Sequence, residues 1–411
     1  MLTNYVILGL CVLVILAYIF DISFKYSKIP GVVLLIALGI AMQLIVNYTG
    51  LSIPNMRSAL PILGTLGLIL IVMDASLEIK LERSKARGLL RGILAAVVLF
   101  VVFVAILSTL LVKVWDQPVT EALLNSIPLG IISSAVAISS AVLLNRDQRE
   151  FITFESAVSD ILGIVVFDYI LYNQGSFGAG LATFAFKGLI TIVIAVVMTA
   201  ILVILLHKIK YHVNYIIILT SVVMIYALAK LVHLPSLFLV VVFGLALANN
   251  HFGQNTPINR FVDFDKFRDD LNSFKKILAE LTFIVRSFFF IMFGFYTSLA
   301  GFLNRSNLLL ALGITSGILI LRWIFFRLIL KEKSRKLVWF APRGLITILL
   351  FLSIPNDLRI GIINEEVVTL VILMSIFGMM FGNMLPEKKE PEKVTQLEEP
   401  LKADPVTAEH V

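Results

Sequence analysis

A handful of charged residues stand inside long apolar stretches, where an ionisable group is costly and therefore a candidate for function: Glu155, Asp160, Arg286 and Arg343, with Arg322 nearer the end of its stretch. Two carboxylates share one run, Phe151 to Gly163, which holds Glu155, Ser156, Ser159 and Asp160. Asp160 lies nine residues past Phe151, roughly 14 Å along a helix that rises about 1.5 Å per residue. That depth is near the middle of a bilayer. Ser156 and Asp160 are four apart and share a helix face, whereas Glu155 and Asp160, five apart, project about 140° from each other. The two acids therefore need different partners. A functional acid is the reading of Asp160 adopted, with a satisfied structural acid the alternative, and Asp168, at the far end of the run, reads as interfacial.

The basic residues suggest those partners. Trp339 to Gly344 contains Pro342 and Gly344 around Arg343. Proline removes a helical hydrogen bond and glycine permits distortion, so a helix break is expected here. Arg343 sits at about the depth of Glu155, which makes Glu155 its natural partner. Arg286 lies several residues inside another run, with Asp160 as its candidate partner, while Arg322 fits a side chain snorkelling from a helix end. The stretch Gly130 to Ser140 is rich in small residues, including Ser133, Ser134, Ser139 and Ser140. Such a stretch suits close helix crossing, and equally an unwound segment whose carbonyls face a cation.

The elements that must position these residues are membrane helices. The chain has 411 residues, 59% hydrophobic and only 15% charged, well away from a soluble domain, where about a quarter of residues are charged. A hydrocarbon core roughly 30 Å thick needs about 20 helical residues. Runs near that length occur at 5–20, 29–46, 59–77, 88–113, 122–145, 151–172, 183–206, 213–232, 235–250, 281–300, 306–329, 337–353 and 365–385. Of the 34 Lys and Arg residues, 25 fall in or beside alternate loops and the tail, six in the opposite loops and three within spans. The positive-inside rule then puts the N-terminus outside and the C-terminus in the cytoplasm. The net charge of +7 is thus a matter of topology, and nucleic acid is not an expected partner.

Other chemistry is disfavoured. Cys11 is the single cysteine and the five histidines form no ligand-spaced pair, so neither a disulfide nor a bound metal or cofactor is expected. The N-terminus lacks a basic region and a cleavage site, so the first span reads as retained. Residues 257–279 carry Phe261, Phe264, Phe267, Leu271, Phe274 and Leu278 at helical spacing. They suit an amphipathic helix on the cytoplasmic membrane surface, or a packing element leading into the tenth span. Residues 387–411 are charged and contain proline, and read as a disordered tail after a membrane domain over 1–386.

Spans five and twelve are both interrupted and run in opposite directions, the pattern of an inverted-repeat secondary transporter with a midplane site. The motifs resemble those of the monovalent cation–proton antiporter superfamily, particularly its bacterial NhaP-type sodium/proton exchanger branch. Glu155-Ser156-Ala157-Val158-Ser159-Asp160 is similar to that branch's E-S-x-x-N-D, Gly130 to Ile138 to its G-x-x-x-S-A-T-D-P, and Trp339 to Gly344 to its W-x-x-x-R-G. Leu66 to Glu78 is similar to the end of its third helix. The resemblance covers roughly residues 1–386 and implies an all-α polytopic antiporter of about thirteen helices in a bacterial inner membrane, a homodimer in which a mobile six-helix core moves against a dimerisation scaffold. It implies Asp160 as the alternating proton and cation carrier, with Ser134, Ser156 and Ser159 as polar neighbours and Ser133 beside them. It also implies a structural ion pair between Glu155 and Arg343, and Arg286 facing the aspartate. Exchange of sodium, potassium or lithium for protons is the function implied.

Two departures bear on cation affinity and selectivity. The T-D-P is replaced by Val136-Ala137-Ile138, and the asparagine of N-D by Ser159. An intramembrane protease would need paired aspartates on neighbouring helices, a Ser–His pair or a zinc motif, and none is visible. A non-transporting sensor, or a carrier of another small solute, is the alternative on the same fold. The missing T-D-P favours the sensor; the retained Glu155, Asp160, Arg286 and Arg343 oppose it, since an idle site need not keep buried charges.

Overall fold

The computed structural model describes residues 2–27, 29–50, 60–78, 86–141, 144–172, 186–198, 201, 214–231, 234–249, 264–297, 299–331 and 335–384. The expected tail, residues 387–411, and residues 257–263 lie outside them. Among the described residues all regular structure is helical: α1 (Leu2–Ser27), α2 (Gly31–Thr49), α3 (Leu60–Glu78), α4 (Ala86–Trp115), α5 (Val119–Gly130), α6 (Ser134–Ser140), α7 (Arg146–Tyr172), α8 (Phe186–Met198), α9 (Asn214–Leu231), α10 (Ser236–Ala248), α11 (Phe264–Tyr296), α12 (Leu299–Phe302), α13 (Arg305–Leu328), α14 (Arg335–Trp339), α15 (Leu345–Ser353) and α16 (Glu365–Met384). Segments of α2, α4, α5–α6, α11, α13 and α16 are long and apolar enough to cross a bilayer, and α1, α3, α8, α9 and α10 contribute shorter apolar helices. The chain is a multi-pass membrane protein.

The helices pack as two groups. In one, α4 lies against α5, α7 and α13, α16 against α13 and α14, and the short α6 against α7. In the other, α11 packs along α2 and α3, while α10 joins α3 to α9. The groups meet where α3 touches α6, α7 and α15, and where α10 touches α7. Close approach of α2 and α11 depends on two glycines. A Cβ on Gly39 would run into the Ile291 carbonyl, and one on Gly294 into the Ile36 carbonyl. Small residues at such crossings let backbones touch where lipid supplies no hydrophobic drive for association. Exposed apolar side chains, such as Ile15, Leu94, Val193 and Leu312 on α1, α4, α8 and α13, suit contact with hydrocarbon.

α11 bears on the two expectations for residues 257–279. From Phe264 onward this segment is no separate surface helix but the start of a continuous 33-residue helix, about 50 Å long. Leu271, Phe274 and Leu278 are buried, and Phe274 stacks on Tyr215 of α9 with ring centroids 6.5 Å apart. The described part of the apolar face is thus covered by protein. The periodicity that suggests a membrane-surface helix is that of a packed one.

Candidate functional site

Two interrupted helices cross at the centre of the first group. The α5 helix contains Pro128, whose ring lacks an N–H and loosens the last turn, and helix ends at Gly130. Residues 131–133 are extended before α6 begins at Ser134. The second break runs from Phe340 to Gly344, between α14 and α15, where Pro342 and Gly344 lead the sequence to expect one. The breaks touch: the Ser133 N–H donates to the Pro342 carbonyl at 2.8 Å. A Cβ on Gly344 would strike the Ser133 side chain, so the crossing requires glycine there.

Each break leaves helix-end carbonyls without intrahelical donors, and two buried arginines supply them. Arg343 donates from Nε to the Leu129 carbonyl at the end of α5 (2.7 Å) and from Nη1 to the Ala341 carbonyl (3.3 Å). Its own N–H donates to Ser375 Oγ of α16 at 2.9 Å. Arg322 of α13 donates to the Leu337 carbonyl (2.9 Å) and the Val338 carbonyl (3.2 Å), both near the end of α14. A positive group at a helix C-terminus also complements the helix dipole.

Arg322 has a second role, and it corrects the expected ion pair. Its guanidinium grips Glu155 of α7 with both nitrogens, Nη1 to Oε1 and Nη2 to Oε2, the latter at 3.1 Å. The partner of Glu155 is therefore Arg322, where the sequence points to Arg343. Arg322 does not snorkel: only 2% of its side chain is exposed, and it lies over the Phe326 ring at 5.0 Å. Equal depth suits either arginine, but the forked geometry of a guanidinium matches only a carboxylate it meets in plane. One signal is present in the sequence. Arg327 already occupies the last turn of α13, so Arg322 lies more than a turn inside.

Asp160 is buried on α7, with the hydroxyl and N–H of Ser134 as its polar neighbours. Neither carboxylate oxygen completes a hydrogen bond of normal geometry among the described residues. The serines named with it divide. Ser159 Oγ accepts from the Ile132 N–H of the first break at 3.0 Å. Ser156 Oγ donates back to the Ile152 carbonyl at 2.8 Å within its own helix. Ser133 and Ser134, both buried, flank the start of α6. Val136 and Ala137, which stand in place of a threonine and an aspartate, are buried in the apolar core.

Arg286 is not brought to Asp160. Its Nη2 lies 3.8 Å from Asp21 Oδ1 of α1, and Asp74 of α3 is a further acidic neighbour. Sequence reasoning passes over Asp21 because the first apolar run ends before it, whereas α1 continues to Ser27. Lys275 of α11 donates to the Leu77 carbonyl near the end of α3 at 2.7 Å, so the basic residues of α11 fasten the neighbouring helices. Asp168 departs from expectation too. It is 5% exposed and has Lys230 of α9 as its charged neighbour.

Comparison with known proteins agrees with this architecture. Residues 11–386 match the family model described as sodium/hydrogen exchanger, transmembrane. No curated protein sequence gives a significant match. Among solved structures, the sodium proton antiporter MjNhaP1 from Methanocaldococcus jannaschii, determined at pH 8, is similar over 94% of this chain and 96% of its own. The two share 19% identity and a TM-score of 0.64. An electron-microscopy structure of the same antiporter is similar over 92% and 94% of the two chains, at 18% identity and a TM-score of 0.65. At such identities the likeness is one of fold. A family match across nearly the whole chain, joined to two broken helices crossing beside a buried carboxylate, identifies this protein as a member of the sodium/hydrogen exchanger family, the cation/proton antiporters.

Proposed function

We propose that this chain exchanges one monovalent cation, with sodium the first candidate, for one proton, and that Asp160 carries both in alternation. The observation that carries the reading is the isolation of Asp160. Glu155 is neutralised by two guanidinium bonds from Arg322, and Arg343 is held by helix-end carbonyls. At the crossing, Asp160 is a buried carboxylate with no ionic partner among the described residues, and the Ser134 hydroxyl and N–H beside it do not complete a hydrogen bond of normal geometry. Oxygen ligands suit hard cations, and the Ser134 hydroxyl could join the carboxylate in binding one. Ser159, with its oxygen on Ile132, acts by holding the break in shape, and Ser156 and Ser133 serve as structural neighbours.

The stoichiometry follows from charge counting. Ala137 puts no carboxylate on α6, Glu155 is committed to Arg322, and a buried guanidinium stays protonated. One carboxylate that carries either a proton or a cation moves the same charge in both half-cycles, so exchange is electroneutral. In this reading α4–α7 and α13–α16 form a core that moves against α1–α3 and α9–α11. The scaffold forms a homodimer in a bacterial inner membrane. The distribution of Lys and Arg supports an outside N-terminus and a cytoplasmic C-terminus. The work done is transport rather than catalysis. A sensor that kept the fold is the second reading, favoured by Val136-Ala137-Ile138 where the branch has T-D-P. The deciding experiment reconstitutes the purified protein in proteoliposomes with an imposed pH gradient. Added sodium, potassium or lithium should dissipate the gradient; no dissipation by any of the three would support the sensor.

A further inference from the structure

Asp168 is a buried acid for which exchange at Asp160 has no use. It lies on α7 eight residues beyond Asp160, roughly 12 Å further along the helix, on the side proposed to face outward. α7 belongs to the first helix group, and its main contact with the second group is α10, which in turn packs on α9. Three polar side chains from that second group lie toward the acid's end of the contact. Tyr226 of α9 is buried, with its hydroxyl against Ser236 at the start of α10. Lys230, one turn further along α9, is exposed at the rim with its Nζ 5.9 Å from the centre of the Tyr226 ring. The acid and the lysine thus stand on opposite sides of the seam between the two groups.

Burying a carboxylate in such a seam is expensive unless an opposite charge compensates it, and Lys230 is its charged neighbour there. We propose that Asp168 and Lys230 form the outer closure of the transporter: their attraction across the α7–α10 seam holds the outward side shut while Asp160 is closed to the outside, and separates when the core moves. Asp168 is then a positioning residue that sets the balance between outward-open and outward-closed states, and it touches no transported ion. The inference rests on the proposed antiport and orientation, but the main test needs no transport.

Lys230 is the residue to change first, because an exposed side chain can be replaced without disturbing folding. In a Cys11→Ser background, Ser236→Cys places a thiol inside the seam. Lys230→Glu sets two acids against each other and should speed labelling of that thiol by a membrane-impermeant maleimide, added outside spheroplasts, roughly five-fold. That is the population shift from a partly exposed pair contributing about 1 kcal/mol. Adding Asp168→Lys restores an opposite pair and should return labelling to the starting rate. In proteoliposomes Lys230→Glu should lower the apparent KM for cation on the outer side and raise it on the inner side, an opposed shift that loss of general stability would not give. Unchanged labelling in Lys230→Glu, failure of the exchanged pair to restore it, or labelling only from the cytoplasmic side would each overturn the proposal. If the labelling behaves as expected while the parent protein shows no cation-dependent proton flux, the closure stands and the antiport reading falls.

Discussion

Glu155 and Asp160 share a helix and differ in every contact. Glu155 is held by both arms of Arg322, whereas neither oxygen of Asp160 completes a hydrogen bond among the described residues. Asp160→Asn should therefore abolish cation-dependent proton flux, because an amide has neither the charge nor the exchangeable site of a carboxylate. It should leave the purified protein monodisperse, since no side chain loses an ionic partner. Robust flux from that variant would remove Asp160 from the cycle. The Glu155–Arg322 pair should behave in the opposite way. Neutralising one member leaves a buried charge alone, which typically costs about 3–5 kcal/mol, so Glu155→Gln and Arg322→Gln should each lower the detergent melting temperature clearly. The double variant should recover part of that loss, and a larger part than Glu155→Gln with Arg343→Gln recovers, since Arg343 is a charged neighbour of Glu155 while Arg322 holds it through two hydrogen bonds. A double-mutant cycle that reverses these outcomes would return Arg343 to the ion pair.

At the scale of elements, the site is a consequence of two helices that stop early. Pro128 and Gly130 end α5, Pro342 and Gly344 separate α14 from α15, and the extended segments lean on each other through the Ser133 to Pro342 hydrogen bond. Gly344→Ala should push the breaks apart, because its new methyl would meet the Ser133 side chain. We expect lower thermostability and slower exchange, and partial recovery of both when Ser133→Gly clears the space. A Gly344→Ala variant with parental melting temperature and flux would show that the crossing has slack. Cα hydrogens and van der Waals contact remain at the crossing in the double variant, but the backbone hydrogen bond from residue 133 is retained, which is why recovery is expected.

For the whole molecule, the two helix groups and the count of charges at their centre lead to a prediction about energetics. With Glu155 and both arginines committed, an imposed membrane potential should do no work on a one-for-one cycle. In proteoliposomes with a potential but without pH or cation gradients, no net proton or cation movement should follow. Potential-driven movement would mean that a second group titrates during transport. Asp168 would be the first suspect, since it is buried on the same helix as Asp160, and repeating the measurement with Asp168→Asn would identify it.

Much of this protein is determined by one-dimensional features. Apolar runs of membrane length, the bias of Lys and Arg to alternate loops, and proline and glycine within spans five and twelve act locally, through bilayer thickness and backbone chemistry. They specify a polytopic helical protein with two breaks before any packing is known. Asp160, too, is marked out by depth along a single helix. Pairing across helices is another matter. Glu155 has two arginines at compatible depth, and what selects Arg322 is the placing of α7 and α13 against α4, which brings two guanidinium nitrogens to the two carboxylate oxygens. Arg286 reaches Asp21 because α11 packs among α1, α2 and α3, and Asp168 is buried because several helices, α10 among them, pack along α7. The periodicity of residues 264–278 likewise marks an apolar face without saying whether lipid or protein covers it. Spacing fixes where a side chain lies along its own helix and in which direction it points, but which neighbour waits there depends on how the helices are arranged around one another, and only the tertiary structure decides that.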